Sequence, residues 1–161
     1  MQETAVRFAI CDDDKTYAEK MKALILQTFQ LPQPVECVIY LNQEQILKYY
    51  REDKIDIVFM DIEFGDVIGF QVARRLSMQD SQLTVVYMTN YEHYITEAFV
   101  CRPLGFIRKS HAEDDLQIAG QEIRRFIGQK YSRFVFGGGT AVVEVPLYKV
   151  YAVEIYGHDM V

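Results

Sequence analysis

This sequence of 161 residues has few cysteines, and their arrangement does not suggest a covalent or metal-held scaffold. Cys11, Cys37 and Cys101 are odd in number, lie far apart and form no C-x-x-C pair. Disulfide frameworks and zinc sites need cysteines paired at short spacings. We therefore expect these three side chains to be small buried hydrophobic groups.

The sequence also lacks a hydrophobic run of the roughly 20 residues that a bilayer-spanning helix needs. Its first residues, MQET, have neither the basic nor the apolar region of a signal peptide. Half of all residues are hydrophobic, which is enough for one core of ordinary size. We therefore expect a globular, cytoplasmic protein with no membrane partner.

Positive charge is scarce, and the net charge is −6. Residues 1–129 hold 14 basic and 20 acidic side chains, whereas residues 130–161 hold three of each. Because a nucleic-acid surface needs clustered Lys and Arg, the first part of the chain is not such a surface. Its acidity suits a cation site instead.

Apolar runs alternate with amphipathic segments, which predicts alternating strands and helices. Right-handed crossovers favour a flavodoxin-like (βα)5 fold for them, a doubly wound parallel sheet with strand order 2-1-3-4-5. Residues 65–69 are predicted to form a flexible turn. The predicted strands are 6–11, 35–41, 55–61, 83–88 and 104–108, and the predicted helices are 15–29, 43–51, 70–78, 91–100 and 112–127.

Carboxylates follow two of the predicted strands. The first strand ends on Asp12, Asp13 and Asp14, and the third ends on Asp61. These strands are neighbours in the predicted order, and such sheets bind ligands at the carboxyl ends of their strands. The cluster alone is explained as a cap of the following helix. The isolated Asp61 favours a shared site, and several carboxylate oxygens together suit Mg²⁺.

The same residues predict phosphoryl chemistry. A carboxylate held beside Mg²⁺ and a lysine can attack a phosphoryl group and form an aspartyl phosphate, and Asp61 is the candidate. Lys109 and Thr89 follow the fifth and fourth strands and are predicted to bind phosphoryl oxygens, although each also fits an ordinary strand-end residue. The predicted metal ligands are Asp61, Asp13, Asp12 through a bound water, and the main-chain carbonyl of Glu63.

Four strand-end motifs together resemble the receiver domain of bacterial two-component response regulators, over about residues 5–128. The resemblance implies that a sensor histidine kinase supplies the phosphoryl group. It implies no enzyme activity beyond Mg²⁺-dependent self-phosphorylation and self-dephosphorylation. It also implies that the ring of Phe106 moves with Thr89 as the switch. The motifs are CDDD at 11–14, FMD at 59–61, MT at 88–89 and FIRK at 106–109.

Residues 89–109 are more narrowly similar to receivers attached to LytTR-type DNA-binding domains, and residues 150–158 are similar to an early LytTR strand. Strands are predicted at 134–136, 141–145 and 150–156. The resemblance therefore divides the chain into a receiver domain, 5–129, and an N-terminal fragment of a LytTR-like domain, 130–161. It implies promoter DNA binding through the complete output domain only, and it leaves homodimerisation open.

One departure from the receiver pattern concerns the residue after Lys109. Ser110 stands where receivers usually have proline in a cis peptide. A cis bond before any other residue costs roughly 2.5–4 kcal/mol, which favours a trans peptide and leaves the reach of Lys109 in question.

Three other functions are compatible with parts of the sequence. One is a stand-alone receiver adaptor, with the tail as decoration. Another is a haloacid-dehalogenase-like phosphatase, because Asp61-Ile62-Glu63 superficially resembles its motif; that motif normally ends the first strand, whereas here it ends the third. A flavodoxin-like binding protein is disfavoured because no Ser/Thr-rich phosphate loop follows the first strand.

Overall fold

Strands and helices alternate along the chain in the computed structural model, which describes residues 5–91, 94, 103–138 and 141–146. Contacts within the chain define two units, Met1–Ile123 and Arg124–Val161. The strands up to residue 108 are β1 (Val6–Cys11), β2 (Val35–Tyr40), β3 (Ile57–Asp61), β4 (Glu63–Phe64), β5 (Val67–Ile68), β6 (Val85–Thr89) and β7 (Gly105–Arg108). The α-helices are α1 (Lys15–Thr28), α2 (Gln43–Tyr49), α3 (Gly69–Gln79) and α4 (Ala112–Tyr131).

Five strands form one parallel sheet in the order β2-β1-β3-β6-β7. This order confirms the predicted flavodoxin-like arrangement, with the two two-residue strands outside the main sheet. Cys11 is in register with Met60, and Asp61 is in register with Met88. The residues that follow β1 and end β3 therefore lie at the same edge of the sheet.

The central strands are buried because their side chains are apolar on both faces. Phe8 of β1 packs edge-on against Phe29 and Phe59, with ring centroids 5.6 and 5.7 Å apart. Ala9 and Met60 belong to a second buried cluster that includes residues of α2 and α3. Cores on both faces of the sheet hold β1 and β3 rigidly side by side.

Helix α1 begins with a side-chain cap. The carboxylate of Asp14 accepts a hydrogen bond from the Tyr17 backbone N–H at 3.1 Å. Asp12 lies two residues earlier, and its Oδ1 accepts the Asp14 N–H at 2.9 Å. The capping interpretation of the acidic cluster is thus right for Asp14, and it leaves Asp12 and Asp13 available for other contacts.

The segment predicted as a flexible turn, residues 65–69, overlaps a small antiparallel hairpin at residues 63–68. Strand β4 pairs with β5 around Gly65, whose φ of 63° lies in the left-handed region that glycine tolerates. Strands of two residues have no periodicity, so the sequence did not indicate them. At the start of α3, a Cβ on Gly69 would lie 2.1 Å from the Asp61 carbonyl oxygen, so only glycine fits there.

The second unit contains an antiparallel pair, β8 (Arg133–Gly138) and β9 (Ala141–Pro146). These strands cover the predictions at 134–136 and 141–145. The predicted strand at 150–156 lies outside the described residues, as does the predicted helix at 91–100 apart from its first residue and Tyr94. Among the described helices, none is long and apolar enough to cross a bilayer.

Candidate functional site

Three carboxylates meet at the carboxyl edge of the sheet. Asp12, Asp13 and Asp61 each offer an oxygen, and these oxygens lie within 4.8 Å of one another. Asp12 has no exposed surface, Asp61 is 4% exposed and Asp13 is exposed. The structure thus brings together the side chains of the three predicted aspartates, two of them buried and one exposed.

Lys109 follows β7 and reaches this group at the same edge of the sheet. Its Nζ lies 2.6 Å from Asp12 Oδ2 and 2.6 Å from Asp61 Oδ2. The Lys109–Ser110 peptide is trans, and a 3₁₀ turn at Lys109–His111 leads into α4. The reach of Lys109, which the Ser110 departure had left in question, is therefore achieved without a cis peptide.

The carboxylates are ionised at a cost. The pKa of Asp61 is raised to about 6: burial is the largest cause and the Asp12 charge adds to it, while the hydrogen bond and charge of Lys109 oppose it. Burial also raises the pKa of Asp12, against the opposing effect of Lys109. For Lys109, burial lowers the pKa, but the hydrogen bonds and charges of the two carboxylates together outweigh this effect. The pKa of Lys109 is therefore raised. One ammonium does not balance three carboxylates.

Both oxygens of Asp61 have a donor. Oδ1 accepts the Glu63 backbone N–H at 3.1 Å, and Oδ2 accepts the Lys109 ammonium. These two bonds fix the plane of the carboxylate. The Glu63 main chain therefore lies beside Asp61, while its carbonyl stays a predicted metal ligand, and its side chain is exposed.

Thr89 ends β6 and is 1% exposed. Its hydroxyl donates to the Tyr91 carbonyl at 3.2 Å and accepts the Tyr91 N–H at 2.9 Å. Both of these hydrogen-bond partners of the hydroxyl thus belong to the local turn and not to the carboxylate group. To contact a phosphoryl group as predicted, the Thr89 hydroxyl would have to give up its bond to the Tyr91 carbonyl.

Phe106 lies in β7 and is half-buried. Its ring is tilted against Tyr87, with centroids 5.8 Å apart, and Tyr87 in turn meets Phe70 edge-on at 4.7 Å. Tyr87 is two residues before Thr89 in β6. The predicted switch residue therefore belongs to an aromatic row that connects β7, β6 and α3.

Tyr17 was not among the sequence predictions. Its ring lies 4.7 Å from Lys109 Nζ, in a cation–π geometry. Its buried hydroxyl has no hydrogen-bond partner in the part of the chain that the structure describes. Burial raises the pKa of this phenol, and the charges of Asp12 and Asp61 add to the effect. The only available sequence signal was its place in the first turn of α1, three residues after the cap.

These residues fit a divalent cation. The donors are carboxylate oxygens, which Mg²⁺ prefers, and its usual one or two protein carboxylates are present with one to spare. The excess negative charge of the buried pair also favours a cation. Asp12, Asp13 and Asp61 are the side chains that would hold it.

A family model, the response regulator receiver domain, matches residues 8–120. The chain belongs to this family. The match covers β1 to β7 and the first part of α4, and so it includes every residue of the carboxylate group and Lys109. The receiver is therefore a two-component signalling module with a flavodoxin-like fold.

Curated relatives of the receiver are sensory transduction proteins. LytT of Oceanobacillus iheyensis is 25% identical over 130 residues, which are 80% of this chain and 52% of the relative. LytT of Bacillus anthracis is 27% identical over 130 residues, 80% and 50% of the two chains. LytR of Streptococcus mutans is 28% identical over 118 residues, 72% and 47%. The chain spans about half the length of the curated relatives it matches.

Solved structures share the receiver fold. A LuxR-family two-component response regulator from Aurantimonas sp. SI85-9A1 superposes with a TM-score of 0.65 at 22% identity, over 78% of this chain and 87% of that one. TrrA from Thermotoga maritima, solved with Mg²⁺ and BeF, has a TM-score of 0.63 at 20% identity, over 75% and 98%. At these identities the likeness establishes the fold.

Proposed function

We propose that this receiver accepts a phosphoryl group on Asp61 from a sensor histidine kinase, with Mg²⁺ as cofactor, and passes the signal to a LytTR-type output domain in the cytoplasm. The observation that supports it best is the 2.6 Å contact between Lys109 Nζ and Asp61 Oδ2 within a group of three carboxylates. An ammonium at this place is available to neutralise the oxygens of an incoming phosphoryl group.

In the proposed reaction a carboxylate oxygen of Asp61 forms a bond to phosphorus while the bond between phosphorus and the kinase histidine breaks. Bound Mg²⁺ would offset negative charge on the phosphoryl oxygens. Asp12, through a bound water, Asp13 and the Glu63 carbonyl complete the proposed ligand set. The two hydrogen bonds that fix the Asp61 carboxylate orient its free lone pairs before the donor arrives.

Lys109 and Thr89 are proposed to bind the transferred group. Lys109 would exchange part of its contact with the carboxylates for a phosphoryl oxygen, and Thr89 would donate its hydroxyl proton to another. A phosphoryl group adds a charge of about −1.5 to −2, which attracts both donors. Movement of Thr89 frees space beside Tyr87, and Phe106 follows as the switch.

Phosphorylation of Asp61 is tested by intact-mass spectrometry after incubation with Mg²⁺ and acetyl phosphate. We expect one added phosphoryl group on the wild type and none on Asp61→Asn. Asp66→Asn is the matched control, because Asp66 is an exposed acid on the adjacent hairpin. Equal mass gain on Asp61→Asn would refute the assignment.

The chemistry is proposed to stop at self-phosphorylation and self-dephosphorylation. The Glu63 side chain is exposed and its backbone N–H is bonded to Asp61, which does not suit the general acid that a phosphatase needs. We expect no turnover of para-nitrophenyl phosphate above the Asp61→Asn background. Sustained turnover would place the chain among the phosphatases.

For the remainder of the chain we propose a boundary at 129/130, with residues 130–161 as the first part of a LytTR-type domain. The β8–β9 pair, in a unit that begins at Arg124, and the greater length of the LytT relatives support a further domain after the receiver. Lys130, Arg133 and Lys149 are too few cations for salt-dependent DNA binding. In a gel-shift assay we expect promoter DNA to bind a chain extended by a complete output domain and not the 161 residues alone.

A further inference from the structure

Lys109 lies in a short connection between β7 and α4. Strand β7 ends at Arg108, and the trans peptide after Lys109 leads through one 3₁₀ turn into α4. A four-carbon side chain on such a short connection has many accessible directions. Because Nζ meets two carboxylates at 2.6 Å, the main chain at Lys109 must be held in one orientation.

Asp115, in the first turn of α4, supplies that hold. Its Oδ2 accepts the Arg108 backbone N–H at 2.8 Å and the Arg108 Nε–H at 2.8 Å, and its Oδ1 accepts the Arg108 Nη2–H at 2.7 Å. The guanidinium and carboxylate are therefore paired as a bidentate fork, the strongest geometry for such a pair. Asp115 is buried, and the hydrogen bond from Arg108 lowers its pKa, so that the carboxylate stays ionised.

The pair joins three elements of the site. Arg108 is in register with Thr89 on the neighbouring strand β6. Its backbone and its side chain are both bonded to one carboxylate, so residue 108 can neither slide along β6 nor rotate away from α4. The next residue is Lys109, whose starting direction is thereby set.

We propose that the Arg108–Asp115 pair is a positioning clamp that aims Lys109 at Asp61. The salt bridge would take the place of the proline that receivers usually have at the position of Ser110. This inference rests on the proposed function, because it assigns the clamp a role in phosphorylation of Asp61. Arg108 and Asp115 are positioning residues and act through Lys109. Neither belongs to the carboxylate group itself.

The test compares phosphorylation rates with acetyl phosphate for the wild type, Asp115→Asn and Asp114→Asn. Asp114 is exposed in the same helical turn, so its variant removes the same charge from the helix terminus without touching the clamp. We expect Asp115→Asn to slow phosphorylation about 10-fold, the lower end of the range for residues that orient a reactive group. Asp114→Asn should leave the rate unchanged, and Mg²⁺ affinity should be unchanged in both.

A double-mutant cycle with Lys109→Ala separates positioning from general stabilisation. If the clamp acts through Lys109, Asp115→Asn has no further effect on the rate once Lys109 is gone. Arg108→Lys keeps the charge and the backbone hydrogen bond but loses the bidentate pairing with Asp115. Its phosphorylation rate should lie between those of the wild type and Asp115→Asn, and this variant replaces Asp115→Asn in the test if the latter does not fold.

An equal loss of rate with and without Lys109, or wild-type rates in both clamp variants, would overturn the clamp alone. A wild type that gains no phosphoryl group on Asp61 would overturn the proposed function and the clamp together. The two failures are thus distinguished by the wild-type mass spectrum.

Discussion

The two edges of the sheet carry charged groups of opposite character. At the amino edge, Arg7 donates its backbone N–H to Asp56 at 2.7 Å, its Nε–H to Glu36 at 2.8 Å and its Nη1–H to the Asp53 carbonyl at 3.1 Å. At the carboxyl edge, one lysine faces three carboxylates, of which two are buried. In the first group each of these Arg7 donors has its own acceptor, and the ion pair with Glu36 is exposed to solvent, as structural charges commonly are. The second has an excess of negative charge in a buried place, which is the usual condition of a functional site.

The largest expected difference between the edges is in Mg²⁺ binding. Asp13→Ala removes a proposed ligand and should weaken Mg²⁺ binding by roughly 100-fold or more, the upper end of what a supporting residue alone contributes. Glu36→Ala removes an equally exposed acid at the amino edge and should leave the affinity unchanged. Isothermal titration calorimetry measures both. Similar affinities for the two variants would remove the distinction between the edges.

The free energy of unfolding should respond with opposite sign at the two edges. A folded-state pKa of about 6 for Asp61, above the ordinary 3.8, means that its contribution to stability is present at low pH and lost as pH rises through about 6. Asp61→Asn should therefore raise the free energy of unfolding at pH 7.5 by roughly 1–3 kcal/mol. Asp56→Asn keeps an acceptor for the Arg7 backbone N–H but removes its charge, and should lower the free energy of unfolding by roughly 1 kcal/mol.

Urea titrations with a chelator present measure these changes. A loss of stability in both variants would show that the carboxylates at the carboxyl edge are not in electrostatic conflict.

A smaller effect is expected from pH on metal binding. Protons compete with Mg²⁺ for Asp61, so affinity should fall by roughly fourfold between pH 7.5 and 5.5 from this group alone. In Asp12→Asn the midpoint should move to lower pH, because the neighbouring charge that raises the Asp61 pKa is removed. Calorimetric titrations across this range test the prediction, and an affinity independent of pH would contradict it.

The smallest change is expected at the exposed pair of the amino edge. Arg7 Nε and Glu36 Oε2 are 2.8 Å apart, but both side chains are more than a third exposed, at 36% and 52%. Solvent weakens such pairs to about 0–1 kcal/mol. Glu36→Ala should therefore change the free energy of unfolding by less than about 1 kcal/mol, and a larger loss in urea titrations would mean that this exposed pair stabilises the fold more than solvent screening allows.

The sequence predicted the parallel sheet, its strand order and the meeting of Asp12, Asp13 and Asp61. Strands buried on both faces are unbroken apolar runs, and the polar residue that ends each run marks the edge where a ligand binds. Every predicted helix in the described part of the chain is present, with ends shifted by a few residues. The roles of the site residues remain predictions.

Features that depend on contacts distant in the sequence were not predictable. Nothing adjacent to Tyr17 signals that a lysine 92 positions later will lie over its ring. Arg108, the residue before Lys109, is bonded to Asp115, whose own sequence context resembles any acidic helix start. The β4–β5 hairpin is too short to leave a pattern. For Tyr17 and Asp115 the deciding interaction is tertiary, and local sequence carries no record of it.

The turn at Thr89 has a consequence for the sensitivity of the switch. A hydroxyl has one proton, and here the Tyr91 carbonyl holds it. Binding a phosphoryl oxygen would exchange one hydrogen bond for another of similar strength, so the two states of Thr89 are nearly equal in energy before charge is counted. If Asp61 is phosphorylated as proposed, the charge of the phosphoryl group would decide which partner the Thr89 hydroxyl bonds, and hydrolysis would restore its bond to Tyr91.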